Sequence, residues 1–208
     1  MRLRNAGRRG LVTAIVTLGG LALLVPAASA GPLVEDAEGC EPASLSTPFG
    51  RWLDPMKYTP VRDGGIERRA QGWHLSGGAR PVAGNEPWKV SGAGDDSSLS
   101  LPAGASATTP AICVGLAEPT LRFFAEGPAG VVDRLDVEVL FEDAAGQVRA
   151  LPIGTDLGGS WHPTTVMPVL ANLLPLLPGG QTAVAFRFTA HGGSFRIDDV
   201  YVDPWCMR

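Results

Sequence analysis

The chain has 208 residues, including 27 glycines and 18 prolines, and a formal net charge of −4. The acidic balance and the scattered basic residues argue against nucleic acid and anionic membrane as partners, because both would repel the chain. The length suits one domain with a sizeable core, and glycine and proline limit helices to short pieces.

The first 30 residues have the pattern of a secretory signal peptide. Four arginines precede an apolar run from Leu11 to Val25, and Ala28 and Ala30 then form an A-x-A site before a predicted cleavage at Gly31. The run is short for a membrane span and is interrupted by two glycines, which favours cleavage over anchoring. Cleavage would remove four of the 17 basic residues and leave 13 against 21 acidic ones, a net charge of −8. We expect a secreted protein, extracellular or associated with the cell wall, that is not embedded in a membrane.

Three segments are predicted: the signal peptide (1–30), an extended N-terminal leader (31–57) and one β-domain (58–208). Export permits a disulfide, and the three cysteines Cys40, Cys113 and Cys206 leave three pairings open. We favour Cys40–Cys113, which would tie the leader to the middle of the sheet. Closure of that loop is worth about 4–5 kcal/mol in the chain-entropy model. Cys206 would then be free or form an intermolecular bond.

Short runs with strand character follow one another along the predicted domain. They are Gly72–Leu75, Ser97–Leu101, Ala111–Val114, Thr120–Ala125, Leu135–Phe141, Val148–Ile153, Thr182–Thr189 and Phe195–Val202. Gly146 lies between two of them and predicts a hairpin turn. The apolar stretch 166–177 holds two prolines and predicts a helical turn or a loop over the core. Many short strands with Gly, Pro and Asp turns predict an all-β fold, an antiparallel sandwich or barrel.

The last predicted strand carries two adjacent aspartates, which are uncommon in strands. Phe195 and Ile197 share one parity, whereas Val200 and Val202 have the other, so the apolar side changes at Asp198-Asp199. A strand that changes its apolar parity in this way usually contains a β-bulge. Two carboxylates at a bulge are also suitable ligands for a hard cation such as calcium.

The two ends of the domain resemble a known family. The stretch G-G-I-E-R-R-A-Q-G-W at 64–73 and R-I-D-D-V-Y-V at 196–202 are similar to the first and last strands of galactose-binding-like jelly rolls found in carbohydrate-binding modules. Ile66 departs from the phenylalanine usual in those modules. Four shorter motifs, F-x-x-W-x-D, G-N-E-P-W, S-L-x-L-P-x-G and R-F-F, also resemble secreted actinobacterial proteins. The resemblance implies a jelly-roll β-sandwich.

In several such modules a structural calcium links the first and last strands. The resemblance therefore implies a site formed by the Gly65 carbonyl, Glu67 and Asp198 or Asp199. An alternative needs no metal: one aspartate would accept backbone N–H groups at the bulge, and the other would pair with Arg196 or Arg187 outside.

The aromatic residues suggest a sugar-binding role, because indole faces suit the apolar faces of pyranose rings. Trp73 is expected in the core. Trp88 and Trp161 lie in turn-rich stretches, and Asn85 and Glu86 beside Trp88 would supply hydrogen bonds to a ligand. Glu86 could alternatively belong to the calcium-site network.

No sequence signature of catalysis is present. The chain has three histidines, no H-E-x-x-H and no G-x-S-x-G motif. We therefore expect a non-catalytic module that binds a polysaccharide or cell-wall glycan. The alternatives are a structural or protein-interaction module at the cell surface and, less favoured, a small glycoside hydrolase using two of its carboxylates.

Overall fold

The computed structural model describes residues 32–33, 44–115, 119–169 and 181–203. Residues 32–33 are helical, and Gly50–Trp52 forms one 3-10 turn. The strands within these ranges are Thr59–Pro60 (β1), His74–Ser76 (β2), Arg80–Ala83 (β3), Ser97–Leu101 (β4), Ser106–Thr108 (β5), Ile112–Gly115 (β6), Thr120–Gly127 (β7), Arg134–Glu142 (β8), Val148–Asp156 (β9), Gly159–Pro163 (β10), Met167–Pro168 (β11), Gln181–His191 (β12) and Phe195–Asp203 (β13). No helix in the described ranges is long and apolar enough to cross a membrane.

The strands form two sheets, and the pairs within them are antiparallel. The seven-stranded sheet has the order β10-β7-β13-β4-β3, with β1 added on β13 and β11 added on β7. The six-stranded sheet has the order β2-β5-β12-β8-β9, with β6 added on β12. Successive strands often belong to different sheets, as in β9 and β10. The result is the predicted all-β sandwich.

The main hydrophobic core lies between the inner faces of the two sheets. On β12, Val184, Phe186 and Phe188 are fully buried, as their alternation predicts. Leu121 and Phe123 of β7 face them from the seven-stranded sheet. Because side chains alternate along a strand, Phe124 must lie on the outer face of that sheet.

Most predicted strands are confirmed to within a few residues. The predicted hairpin joins β8 and β9, and Gly146 takes φ +71° in its turn. Strands β1, β3, β5 and β10 were missed, since they are short and have mixed patterns of burial. In the apolar stretch, β11 pairs with β7, while residues 170–177 lie outside the described ranges.

The predicted bulge in the last strand is confirmed. The pairing of β13 with β7 shifts register between Asp198 and Tyr201. Asp199 there adopts φ +51°, in the left-handed region. The extra residue moves the inward-facing positions that follow it from odd to even numbers, so Ile197 before the bulge and Val200 after it both enter the main core.

The described part of the predicted leader packs on the sandwich. Ser46 pairs with Tyr58 through two backbone hydrogen bonds of 2.8 Å, and Phe49 is fully buried. Trp73 is buried in the main core, as expected. Cys113 lies half-buried on β6, whereas Cys40 and Cys206 fall outside the described residues. The Cys40–Cys113 bond and the division at residue 58 therefore stay predictions.

His162 lies on β10 and contacts Asp156, the last residue of β9, so it links the two sheets where the chain passes from one to the other. Its Nε2 lies 2.9 Å from Asp156 Oδ2, and its Nδ1 lies 2.9 Å from the Ser160 carbonyl oxygen. The Ser160 carbonyl and the ionised Asp156 carboxylate can only accept hydrogen bonds. The protonated imidazolium donates from both ring nitrogens and therefore satisfies both of them. The hydrogen bond to Asp156 raises the pKa of His162 above its ordinary 6.5, although burial opposes this.

We expect this pair to make the melting temperature depend on pH. A histidine with a raised folded-state pKa stabilises fully below its unfolded pKa, and the contribution is lost as pH rises through the folded value. The melting temperature of the wild type should therefore fall above about pH 6.5. His162→Gln should reduce the slope of that decrease, whereas His74→Gln on the exposed β2 should leave it intact. An unchanged slope in His162→Gln would contradict the assignment, and NMR titration of the three histidines would measure the pKa directly.

Candidate cation and ligand sites

Three buried carboxylates, those of Glu86, Asp95 and Asp199, meet beside the bulge; we call them the acidic cluster. Glu86, Asp95 and Asp199 each place one oxygen within 4.8 Å of the oxygens of the other two. Glu86 and Asp95 come from the 84–96 connection between β3 and β4, and Asp199 comes from β13. All three residues are at most 2% exposed. Carboxylates buried at this density repel one another unless protons or a cation balance their charge.

The backbone around the bulge is fixed by the connection that precedes β2. The Val200 N–H donates to the Gly64 carbonyl at 3.1 Å, and the Val61 N–H donates to the Val200 carbonyl at 3.0 Å. A Cβ at Gly64 would lie 2.5 Å from the Val200 carbonyl oxygen, so this approach requires glycine. Four non-glycine residues between 63 and 70 also have positive φ. Such strained backbone is commonly concentrated at functional sites.

Several carboxylate oxygens of this cluster lack a hydrogen bond. Among the described residues, neither oxygen of Asp95 has a hydrogen-bond partner, and neither does Asp199 Oδ2. Burial raises the pKa of Asp95 to about 6, the nearby Asn85 amide opposes this increase, and the charges of Glu86 and Glu67 add to it. Burial also raises the pKa of Asp199, with further increases from the charges of Asp95 and Glu86.

This donor set fits a hard divalent cation. Calcium binds oxygen ligands at about 2.3–2.6 Å, so oxygens around one ion lie within about 5 Å of each other. The oxygens of Glu86, Asp95 and Asp199 meet that limit, and the unpartnered oxygens of Asp95 and Asp199 are available as ligands. The chemistry that such an ion supplies here is charge neutralisation and cross-linking of β13 to the 84–96 connection.

The predicted metal ligands are only partly brought together. Asp199 belongs to the cluster, and a Cβ on Gly65 would lie 3.2 Å from its Oδ1, so Gly65 lies against it. Glu67 lies outside the cluster: it is exposed, and its Oε1 accepts the N–H groups of Asp96 and Ser97, both at 2.8 Å. Its assignment as a ligand is therefore not supported.

Asp198 has a different environment from Asp199. Its Oδ1 accepts the Asp199 N–H at 2.8 Å, and its Oδ2 accepts the Glu86 N–H at 3.4 Å. Burial raises its pKa, as do the charges of Asp199 and Asp95. This is the backbone-acceptor role considered as the alternative to a metal. The other half of that alternative is wrong, because Asp199 is buried and bonds Ser91.

The two arginines considered for that pairing have other acidic partners. Arg196 lies 3.6 Å from Glu126, and Arg187 lies 2.7 Å from Glu138. Neither guanidinium therefore neutralises the aspartates of the bulge.

Two of the cluster residues were assigned differently or missed from the sequence. Glu86 was assigned to a sugar site, with the calcium-site network as the alternative, and it is fully buried and accepts the backbone N–H groups of Trp88 and Val90. It cannot contact a ligand at the surface in this conformation. Asp95 was not among the predicted metal ligands. Acidic residues within a glycine-rich connection, G-N-E and G-D-D, were the available signal.

A second hydrophobic cluster lies on the outer face of the seven-stranded sheet; we call it the outer cluster. Its buried members are Phe49, Tyr58, Phe124 and Tyr201. Half-buried Trp52, Trp88 and Trp161 pack against it. The predicted sugar ligands Trp88 and Trp161 thus contribute much of their surface to packing, and Asn85 lies half-buried beside the acidic cluster. Of the two tryptophans, Trp161 has a polar neighbour, since the Arg196 guanidinium lies 5.3 Å from its ring centre.

A polar groove of about 530 Å³ crosses the outer face of the six-stranded sheet. Its lining residues are Gly104, Ser106, Asp136, Val137, Glu138, Pro152, Gly154, Thr155, Arg187, Thr189 and His191. Arg187 is directly opposite Glu138 in the β12–β8 register, and Thr189 is opposite Asp136. No Trp, Tyr or Phe lines the groove within the described part of the chain.

The groove residues form an ordered network of ion pairs and hydrogen bonds. Arg187 Nε donates to Glu138 Oε2 at 2.8 Å. Asp136 accepts from Thr155 at 3.0 Å and lies 3.2 Å from His191. These contacts fix the side chains while leaving donors and acceptors directed over an open surface.

The two antiparallel sheets define an all-β sandwich, and carbohydrate-binding modules are among the solved structures with a similar fold. TmCBM61 in complex with β-1,4-galactotriose has 15% identity and a TM-score of 0.43, over 68% of this chain and 95% of that one. The C-terminal family 22 carbohydrate-binding module of Clostridium thermocellum Xyn10B has 17% identity and a TM-score of 0.42, over 69% and 89%.

The enzymatically active domain of bacteriophage CBA120 tailspike protein 4 has 16% identity and a TM-score of 0.48, over 69% of this chain. This chain corresponds to 21% of the tailspike domain. No protein-family model and no curated protein matches the chain.

Proposed function

We propose that this protein is a secreted, non-catalytic carbohydrate-binding module whose glycan lies in the polar groove of the six-stranded sheet. The observation that carries the proposal is the groove itself. Its volume of about 530 Å³ is within the range usual for ligand sites, roughly 300–1,000 Å³. The signal-peptide pattern of residues 1–30 supports export to a glycan-containing environment.

The chemistry of the groove suits hydroxyl-rich ligands. Charged side chains of fixed orientation give stronger hydrogen bonds than neutral ones. Arg187 and Asp136 would donate to and accept from sugar hydroxyls while keeping their ion-pair partners. Ser106, Thr155 and Thr189 add hydroxyls that can either donate or accept.

Trp161 defines a second candidate surface for the same function. Its half-buried ring and the adjacent Arg196 would provide one stacking face and one donor. This surface lies on the opposite sheet from the groove, so substitutions at the two places distinguish them.

Depletion of the secreted protein from solution by insoluble polysaccharides, including peptidoglycan, tests the proposal. We expect saturable binding to one polymer and a loss of affinity of about tenfold or more in Arg187→Ala, since a hydrogen bond to a charged group contributes about 1.5–3 kcal/mol. Arg149→Ala is the matched control, because Arg149 forms an exposed ion pair with Asp143 outside the groove.

The outcomes assign the site. Loss of binding only in Trp161→Ala would transfer the site to the other sheet. A folded protein that binds none of the polymers would overturn the function and favour a protein-interaction module at the cell surface.

We also propose that calcium occupies the acidic cluster as a structural ion. The support is the set of buried, unpartnered oxygens on Asp95 and Asp199 beside Glu86. Its role would be to stabilise the fold, because all three ligands are buried.

A further inference from the structure

The acidic cluster and the outer cluster are connected by a short segment of chain. Glu86 accepts the backbone N–H groups of Trp88 and Val90, the second at 2.7 Å, and so fixes the turn that carries the Trp88 side chain. The Ser91 hydroxyl donates to Asp199 Oδ1 and lies 3.1 Å from the Tyr201 hydroxyl. Residues 86–91 are therefore held at both ends by the acidic cluster: Glu86 is a member of it, and Ser91 bonds Asp199, another member.

Trp88 in turn contacts residues 49–57, which we call the N-terminal segment. Its ring centre lies 4.9 Å from that of Trp52, at an interplanar angle of 85°. Both rings also pack on Phe124, with centre distances of 5.5 Å for Trp88 and 5.2 Å for Trp52. Trp88 thus covers one side of the 3-10 turn that contains Trp52.

We propose that cation binding at Glu86, Asp95 and Asp199 clamps residues 49–57 onto the outer face of the seven-stranded sheet, with Trp88 as the connecting side chain. The inference depends on the structural calcium proposed above and is independent of glycan binding. Without the cation, repulsion among the three carboxylates would displace Glu86 and release the turn it fixes. Trp88 would then lose its position against Trp52, and the N-terminal segment would open more often.

The N-terminal segment carries its own reporters of opening. Arg51 and Lys57 are exposed trypsin sites within residues 49–57. Arg149, exposed on the edge strand β9 of the other sheet, is an internal control in the same digest. Cleavage by trypsin requires local opening, so the ratio of cleavage rates reports the stability of the segment against the rest of the fold.

We expect chelator to increase cleavage after Arg51 and Lys57 by about tenfold or more relative to cleavage after Arg149. Terbium luminescence, sensitised by the nearby tryptophans and competed by calcium, would measure cation binding separately. Asp95→Asn should weaken terbium binding, so that the cleavage ratio no longer changes between calcium and chelator. Trp88→Ala should keep terbium binding and still lose protection of Arg51 and Lys57.

Each outcome decides a separate point. If calcium binds but the Arg51 to Arg149 cleavage ratio is unchanged, the clamp is wrong and the cation site remains. If the wild type binds neither terbium nor calcium, the cation proposal and the clamp both fail. Should Trp88→Ala not fold, Trp88→Phe keeps a smaller ring at this position; it should lose part of the protection, and full protection would contradict the connecting role.

Discussion

Phe124→Ala is expected to destabilise the protein by about 3–5 kcal/mol, the usual cost of removing a fully buried phenylalanine side chain. Phe124 is completely buried even though it lies on the outer face of a sheet. Its ring stacks on Phe49 at 5.4 Å and is also covered by Trp52 and Trp88. Truncation would leave a cavity beneath all three.

The neighbouring residue provides a matched control. Phe123 is equally buried but points from β7 into the main core, where it contacts Phe188. Chemical denaturation should give similar losses for Phe123→Ala and Phe124→Ala if the outer cluster unfolds together with the sandwich. A loss below about 1 kcal/mol for Phe124→Ala alone would show that the N-terminal segment is loosely held and adds little to global stability.

The sequence predicts the main features of the fold because those features depend on neighbouring residues. The alternation of Val184, Phe186 and Phe188 identifies a buried strand face, and the change of parity at Asp198-Asp199 identifies the bulge. Each pattern is contained within one strand. The missed strands β1, β3, β5 and β10 are short, and their pairing with longer strands compensates for weak patterns of their own.

The acidic cluster was harder to predict because its members come from distant parts of the chain. Asp199 could be chosen from the bulge, but Glu86 and Asp95 lie more than 100 residues before it. The resemblance to jelly-roll modules pointed to Glu67, which the structure uses to bind the backbone of Asp96 and Ser97. Only the folded arrangement of the 84–96 connection against β13 brings the right carboxylates together.

The outer cluster has the same origin. Trp88 is in a turn-rich stretch, which usually indicates exposure, and the N-terminal residues before 58 have no strand pattern. Their contact requires the 3-10 turn at Gly50–Trp52 to lie across β7. Two segments that each resemble surface structure thus bury one another, a result of tertiary packing that local patterns do not contain.

Asp95→Asn is expected to change stability in opposite directions with and without calcium. In chelator, the substitution removes one charge from a buried group of carboxylates, and we expect a gain of the order of 1 kcal/mol. In a few millimolar calcium, the wild type should gain about 1–2 kcal/mol by mass action if the site has a dissociation constant of about 0.1–1 mM. The variant loses a ligand and most of that gain, so it should be the less stable protein in calcium.

Thermal unfolding of the two proteins in chelator and in calcium measures this reversal. Asp96→Asn is the matched control, since Asp96 is the exposed neighbour and lies outside the cluster; it should show no reversal. If Asp95→Asn is destabilised equally in both buffers, Asp95 has a structural role without a cation. If it is stabilised equally in both, the carboxylates are balanced by protons, and the calcium site is wrong.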